Sequence, residues 1–174
     1  MKIIIGSDHR GISLKTKVKK WLKAQKIEVE DIGTTSSVAC DYPDFGFKVA
    51  LGVAKGNFDS GILICNTGIG MSIVANKVKG IRAALCINEQ MAEAARQHNN
   101  ANVLVLGAAF VDEELLDKIL ALWINTQFEG ERHQERLSKI KAWGDKLVER
   151  EVFEREVEKW KKEAKRWQSQ AWRR

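Results

Sequence analysis

Gly61-Ile62-Leu63-Ile64-Cys65 runs directly into Asn66-Thr67-Gly68-Ile69-Gly70-Met71-Ser72. The first five residues are a short apolar run, the pattern of a strand buried on both faces. The next seven form a glycine-rich turn that opens a helix. Outward from this point the chain repeats the pattern. Further strand candidates are residues 2–6 (KIIIG), 27–32 (IEVEDI), 81–86 (IRAALC) and 102–106 (NVLVL). Helical spacing lies between them: Ile12, Lys15, Val18, Lys19 and Leu22 beside Trp21, then Phe47, Ala50, Leu51 and Ala54, then about 88–98, then 113–128. Strands alternating with helices imply a parallel sheet covered on both faces. With right-handed crossovers this predicts an α/β protein, a Rossmann-like three-layer α/β/α sandwich with a five-stranded parallel sheet.

The chain has 174 residues, 44% of them hydrophobic, which is enough for one well-filled core. Charged residues make up 30%, with 29 Lys and Arg against 23 Asp and Glu, a net charge of +6. No apolar run approaches the ~18 residues of a membrane span, and the first six residues are too short for a secretory signal. Cys40, Cys65 and Cys86 form no CxxC pair, which points to free thiols in a reducing cytosol. These features exclude a secreted disulfide scaffold, a membrane protein and a multidomain enzyme.

Composition shifts near Lys141. Residues 141–174 hold four of the six Trp, and 11 Lys and Arg against 7 Asp and Glu. Phe153, Val157, Trp160, Ala164, Trp167 and Ala171 share one face of a helix. Residues 1–140 therefore read as the body, and 141–174 as a charged, Trp-rich helical extension with a possible bend at Gly144. Interleaved acids argue against a nucleic-acid face. Packing or oligomerisation through the Trp stripe is the preferred reading, with RNA, acidic lipid or a partner helix as alternatives.

In an open parallel sheet, ligands bind beyond the carboxyl ends of the strands. Three segments fall there: Ser7-Asp8-His9-Arg10-Gly11, Cys40-Asp41-Tyr42-Pro43 and the glycine-rich turn. Gly68, Gly70 and the amides up to Ser72 suit a phosphate or a developing oxyanion, but equally a plain strand-to-helix turn. A dinucleotide fingerprint fails: Ile73 stands where the third glycine is needed, and the next strand ends Leu85-Cys86-Ile87-Asn88 before Glu89. Cys65 precedes the turn, where amides favour a thiolate; it also reads as a small buried hydrophobe. Cys86 fits the second description, and Cys40 stays open. Asp8 and His9 suit a sugar hydroxyl or a phosphate, with Arg10 as an anion contact or a surface charge.

His98-Asn99-Asn100 precedes the last strand, at the far end of the sheet from these segments. It is either a helix end, with Asn taking a left-handed turn, or part of a neighbouring subunit's site. Arg132, His133 and Arg136 follow the fourth helical stretch. Arg at i and i+4 forms either a clamp for a dianion or a solvated face.

Taken in order, residues 3–11 (IIIGSDHRG), 41–45 (DYPDF), 62–77 (ILICNTGIGMSIVANK), 80–86 (GIRAALC), 96–107 (RQHNNANVLVLG) and 128–137 (FEGERHQERL) resemble ribose-5-phosphate isomerase type B. That family also includes galactose-6-phosphate isomerase. The resemblance implies an aldose–ketose isomerase that interconverts ribose 5-phosphate and ribulose 5-phosphate through an enediolate, without metal or other cofactor. It implies Cys65 as the base, Thr67 as an assisting hydroxyl, and His98 as the group that opens the furanose ring, with Asp8 as its partner. Gly68, Ile69, Gly70, Met71 and Ser72 match the amide hole. Asp8, Tyr42 and Asn99 match sugar contacts, and His9, Arg132 and Arg136 match the phosphate set.

Asn66 stands where many relatives have glycine. No carboxylate occupies the Ile73–Asn76 stretch, where some relatives carry a Glu base. Gly107-Ala108-Ala109 stands where some relatives place a phosphate-binding Arg, which leaves Arg10 as a replacement. Because both the Cys65–Thr67 group and the His98–Asn99 and Arg132–Arg136 groups are in one chain, a cytoplasmic homodimer or homotetramer with sites shared between subunits is expected. Two other readings stay open: an isomerase of a hexose 6-phosphate such as allose or galactose 6-phosphate, and a non-catalytic assembly or binding module acting through the C-terminal helix.

Overall fold

The computed structural model describes residues 1–148, with side chains to 145. The Trp-bearing stripe expected from Phe153 to Ala171 lies outside the described residues. The chain divides into two compact units, Met1–His133 and Gln134–Arg174.

The first unit carries five parallel strands: β1 (Lys2–Ser7), β2 (Glu28–Asp31), β3 (Ser60–Cys65), β4 (Ala83–Leu85) and β5 (Val103–Gly107). They lie in the order β2-β1-β3-β5-β4. The chain order reverses between β1 and β3, so a crevice opens beyond their carboxyl ends. The paired register places Ser7 beside Ile64 there, and Cys65 beside Gly107. The connecting helices are α1 (Ile12–Ala24), α2 (Tyr42–Ala54), α3 (Ile69–Ala75), α4 (Glu89–Gln97) and α5 (Glu113–Asn125). A short 3-10 turn, His9–Gly11, precedes α1, and α6 spans Glu131–Val148. Helix therefore runs through Gly144 without a break. No described helix is long and apolar enough to cross a membrane.

Alternation along the buried strands builds two cores, one on each face. Ile3, Ile5, Ile62, Ile64, Leu104 and Leu106 face α1, α4 and α5, with Leu22, Leu116, Ile119 and Leu120 fully covered. Ile4, Leu63, Cys65, Val103 and Val105 face the other way, against Val49, Ala50 and Val53 of α2 and Met71 and Ala75 of α3. The sandwich is the predicted one, but three local expectations change. The buried face of α2 is Gly46, Val49, Ala50 and Val53, while Phe47 and Leu51 turn outward. β4 keeps only three of six expected residues, since as an edge strand it pairs with β5 alone. α5 stops at Asn125 instead of 128, because Thr126 is extended with ψ 128°.

A buried polar tie joins α1 to β2 and the loop after it. Lys15, 2% exposed, donates from Nζ to Asp31 Oδ1 (2.9 Å) and to the Thr34 carbonyl (2.8 Å), while Lys19 reaches Asp31 Oδ2 at 2.7 Å. Burial pushes the Asp31 carboxyl up, but hydrogen bonds from Lys19, Lys15 and the Gly33 N–H, with the Lys15 charge, hold it below the usual carboxylate range.

Candidate active site

β3 delivers Cys65 to the carboxyl edge of the sheet, 5% exposed. The chain then turns through Gly68, whose φ of +78° a side chain rarely tolerates. A Cβ there would also run into the Leu85 side chain. This turn aims the Gly68 N–H at Cys65 Sγ, 3.2 Å away. An N–H donor at sulfur suits a thiolate, the form that accepts a proton. Ile69 N–H reaches Thr67 Oγ1 at 3.4 Å, and Ser72 Oγ donates to the Ile69 carbonyl at 2.8 Å. Gly70 and Met71 lie in the first turn of α3, where amides lack an intrahelical acceptor. The end of β5 braces the segment: Ala108 N–H donates to the Cys65 carbonyl (2.9 Å) and Ala109 N–H to that of Asn66 (3.0 Å). A Cβ on Gly107 would stand 2.7 Å from the Thr67 carbonyl, so the brace needs glycine there.

β1 delivers the second group. Asp8 is 6% exposed and accepts the Arg10 and Gly11 N–H groups at Oδ1, at 2.9 and 3.1 Å. Its own N–H donates to the Ile64 carbonyl, which ties it to the strand carrying Cys65. His9 receives the Cys40 N–H at Nδ1, 3.2 Å away. The neutral ring then carries its proton on Nε2, as a donor facing away from Cys40. Arg10 is exposed. Tyr42, at the start of α2, lies against Gly70: a Cβ on Gly70 would sit 2.6 Å from Tyr42 Cζ. Asp8, His9, Tyr42, Cys65 and the glycine turn therefore share one edge of the sheet.

Cys40, half-buried, contributes its backbone more than its thiol. Burial pushes the Cys86 thiol up to about 12, so it behaves as the inert hydrophobe expected of it.

His98 and Asn99 lie at the opposite edge. His98 caps the end of α4, and Asn100 takes the left-handed turn at φ +43°. The Asn99 and Asn100 carbonyls both accept from Arg82 Nε at 2.9 Å, below the start of β4. The length of β5, about 13 Å at 3.3 Å per residue, separates this edge from Cys65. The His98 ring stacks on His133, centroids 4.4 Å apart and planes within 7°. Arg132 donates from Nε to His133 Nε2 at 3.3 Å. Arg132 and Arg136 are four residues apart on α6 and both exposed.

The sequence pattern did not single out Glu129 as part of this group. Its carboxylate lies 3.9 Å from His98 Nε2 and 3.4 Å from His133 Nε2. Only its position inside the FEGERHQERL stretch hinted at it. Donor atoms of His98, Glu129 and His133 fall within 4.8 Å of one another. The Arg132 guanidinium already donates to His133 Nε2, which occupies the lone pair a metal ion would need on that nitrogen.

A family profile described as Ribose/Galactose Isomerase matches residues 3–140. Ribose-5-phosphate isomerase B of Escherichia coli (strain K12) is 48% identical over 141 residues, 81% of this chain and 95% of that protein. The ribose-5-phosphate isomerase B structure from Clostridium thermocellum superposes with a TM-score of 0.83 at 49% identity, covering 85% of this chain and all of that one. The Mycoplasma genitalium enzyme, solved with bound ribulose 5-phosphate, gives a TM-score of 0.79 at 45% identity, with 83% and 96% covered.

Proposed function

The chain belongs to the ribose/galactose isomerase family, and from that premise we propose that it interconverts ribose 5-phosphate and ribulose 5-phosphate with Cys65 as the base. The observation that carries this reading is the Gly68 N–H on Cys65 Sγ at 3.2 Å, at the strand end beside Asp8 and His9. Proton abstraction next to a carbonyl needs a poised base and donors for the enediolate oxygen. Cys65 takes the C2 proton of the open-chain aldose and returns it to C1. Within the Gly68–Ser72 turn, the Gly70 and Met71 amides stabilise the enediolate, since the Gly68 N–H is on Cys65 and the Ser72 N–H is on the Gly68 carbonyl; Thr67 assists at the sugar hydroxyls.

Ring opening comes first for the aldose. His98 protonates the ring oxygen as the C1–O bond breaks, the bonding pair leaving with that oxygen. Asp8 takes the proton of the C1 hydroxyl as the carbonyl forms. His9 Nε2, Arg132 and Arg136 hold the phosphate, with Arg10 nearby, while Tyr42 and Asn99 contact the sugar. Remote phosphate binding positions the reacting carbons. Cys65 and His98 occupy opposite edges of one sheet, so a complete site takes Cys65 from one copy and His98 from another. A homodimer or homotetramer in the cytoplasm, where the three cysteines stay reduced, fits this arrangement.

A coupled assay with ribose 5-phosphate beside allose 6-phosphate tests the reading. Turnover of the pentose phosphate, lost by ~100-fold or more in Cys65→Ala, supports it. Full turnover in Cys65→Ala, or turnover of the hexose phosphate alone, overturns it.

A further inference from the structure

We infer that Glu129 is a positioning residue for His98, holding that ring against the buried His133 in the orientation from which it donates a proton to the sugar. The inference rests on the ring-opening role proposed for His98.

Four observations converge. Glu129 N–H donates to the Gln97 carbonyl at 3.1 Å, which pins the residue beside the helix end that carries His98. Its Oε2 faces Nε2 of both histidines, at 3.9 and 3.4 Å. The two rings are stacked at 4.4 Å, with His133 4% exposed as the floor and the His98 side chain 43% exposed above it. Gly130 and Glu131, at φ +73° and +42°, turn the chain so that Glu129 and His133 meet the same neighbour. Glu131 holds a left-handed conformation that is costly outside glycine, a strain that persists where surrounding contacts over-determine it.

The chemistry follows from the geometry. A ring-opening acid carries positive charge while it holds its proton, and the Glu129 carboxylate compensates that charge. With Nε2 turned toward Glu129, Nδ1 is the nitrogen left for a sugar. The stack on His133, itself held by Arg132 Nε at 3.3 Å, prevents the ring from swinging away. Glu129 touches neither the base nor the oxyanion amides, which belong to the opposite edge of the sheet.

Full-length Glu129→Gln tests this with two assays. One is isomerisation of ribose 5-phosphate. The other is exchange of the C1 hydrogen of ribulose 5-phosphate with deuterium from D2O. Exchange needs the base but no ring opening, because a ketopentose phosphorylated on O5 cannot close a furanose. Isomerisation should fall ~10- to 100-fold while exchange stays within about twofold, and Glu129→Asp should regain part of the loss. Unchanged isomerisation overturns the inference, as does an equal loss of both reactions. If His98→Gln separates the two reactions and Glu129→Gln does not, the inference alone falls. If His98→Gln loses both, the ring-opening role falls and takes the inference with it.

Discussion

The Gly68 N–H stands 3.2 Å from Cys65 Sγ, and only a left-handed residue places it there. Glycine freedom at position 68 is thus the structural cause of the donor at the thiol. Gly68→Ala forces a Cβ into φ +78° and against Leu85. The expected cost is about 1–3 kcal/mol of stability, together with a fall in kcat as the amide leaves the sulfur. Urea unfolding and steady-state rates measure the two effects separately. Wild-type kcat in a folded Gly68→Ala protein would show that the donor is irrelevant to the thiol.

His9 is oriented by a backbone group, the Cys40 N–H at 3.2 Å. Loss of the imidazole should weaken phosphate binding, so His9→Ala should raise KM by ~10- to 100-fold. Cys40→Ala keeps the N–H and should leave KM within about twofold. A large KM change in Cys40→Ala would assign the effect to the thiol, which lies 3.8 Å from Nδ1.

How far these contacts were legible in the sequence depends on their range. Uninterrupted apolar runs announce β1, β3 and β5 because strands buried on both faces leave no room for polar alternation. The glycine turn after Cys65 is equally local, since Gly68 and Gly70 are required by their own conformation or by the nearest ring. Edge strand β4 is shorter than its apolar run because pairing with β5, not composition, sets its length. The His9–Cys40 contact spans 31 residues, and the Glu129 contacts join a helix end to a later loop. Periodicity reports which face of an element is buried, not which loops meet beyond it.

Asp31 makes a pH-dependent contribution with a definite sign. Its folded pKa is depressed, so its stabilisation is complete above the ordinary carboxylate value, about 4, and is lost as pH falls through the lower folded value. Asp31→Asn leaves Lys15 buried without its counter-charge, which should cost about 3 kcal/mol or more at pH 7. The variant should also lose less stability than wild type between pH 5 and pH 2, a range of about three units around that carboxylate. Denaturant midpoints at the two ends of that range measure the difference; parallel acid limbs would contradict the assignment.

Thiol chemistry should separate Cys40 from Cys86. Burial holds Cys86 near 12 and fully covered, whereas Cys40 is partly open. Iodoacetamide at pH 8, a pH near the ordinary thiol value of about 8.5, should alkylate Cys40 in the native protein and spare Cys86 until denaturant is added. Peptide mass spectrometry reads both sites, and native labelling of Cys86 would mean that the α4–β5 face opens under these conditions.

The proposed sharing of the site between copies has the sharpest test, because Cys65 and His98 lie at opposite edges of one sheet. Cys65→Ala and His98→Ala should each be inactive alone. In a mixed dimer, one interface site loses both groups while the other keeps Cys65 from one copy and His98 from the other. After denaturation and refolding of an equal mixture, half of the dimers are mixed, and activity should return to about a quarter of wild type. The recovery should depend on subunit exchange, so mixing folded proteins without refolding should restore activity slowly. A refolded mixture as inactive as its parents would mean that each chain builds its site alone, and the placement of His98 at the far edge would then have no catalytic meaning.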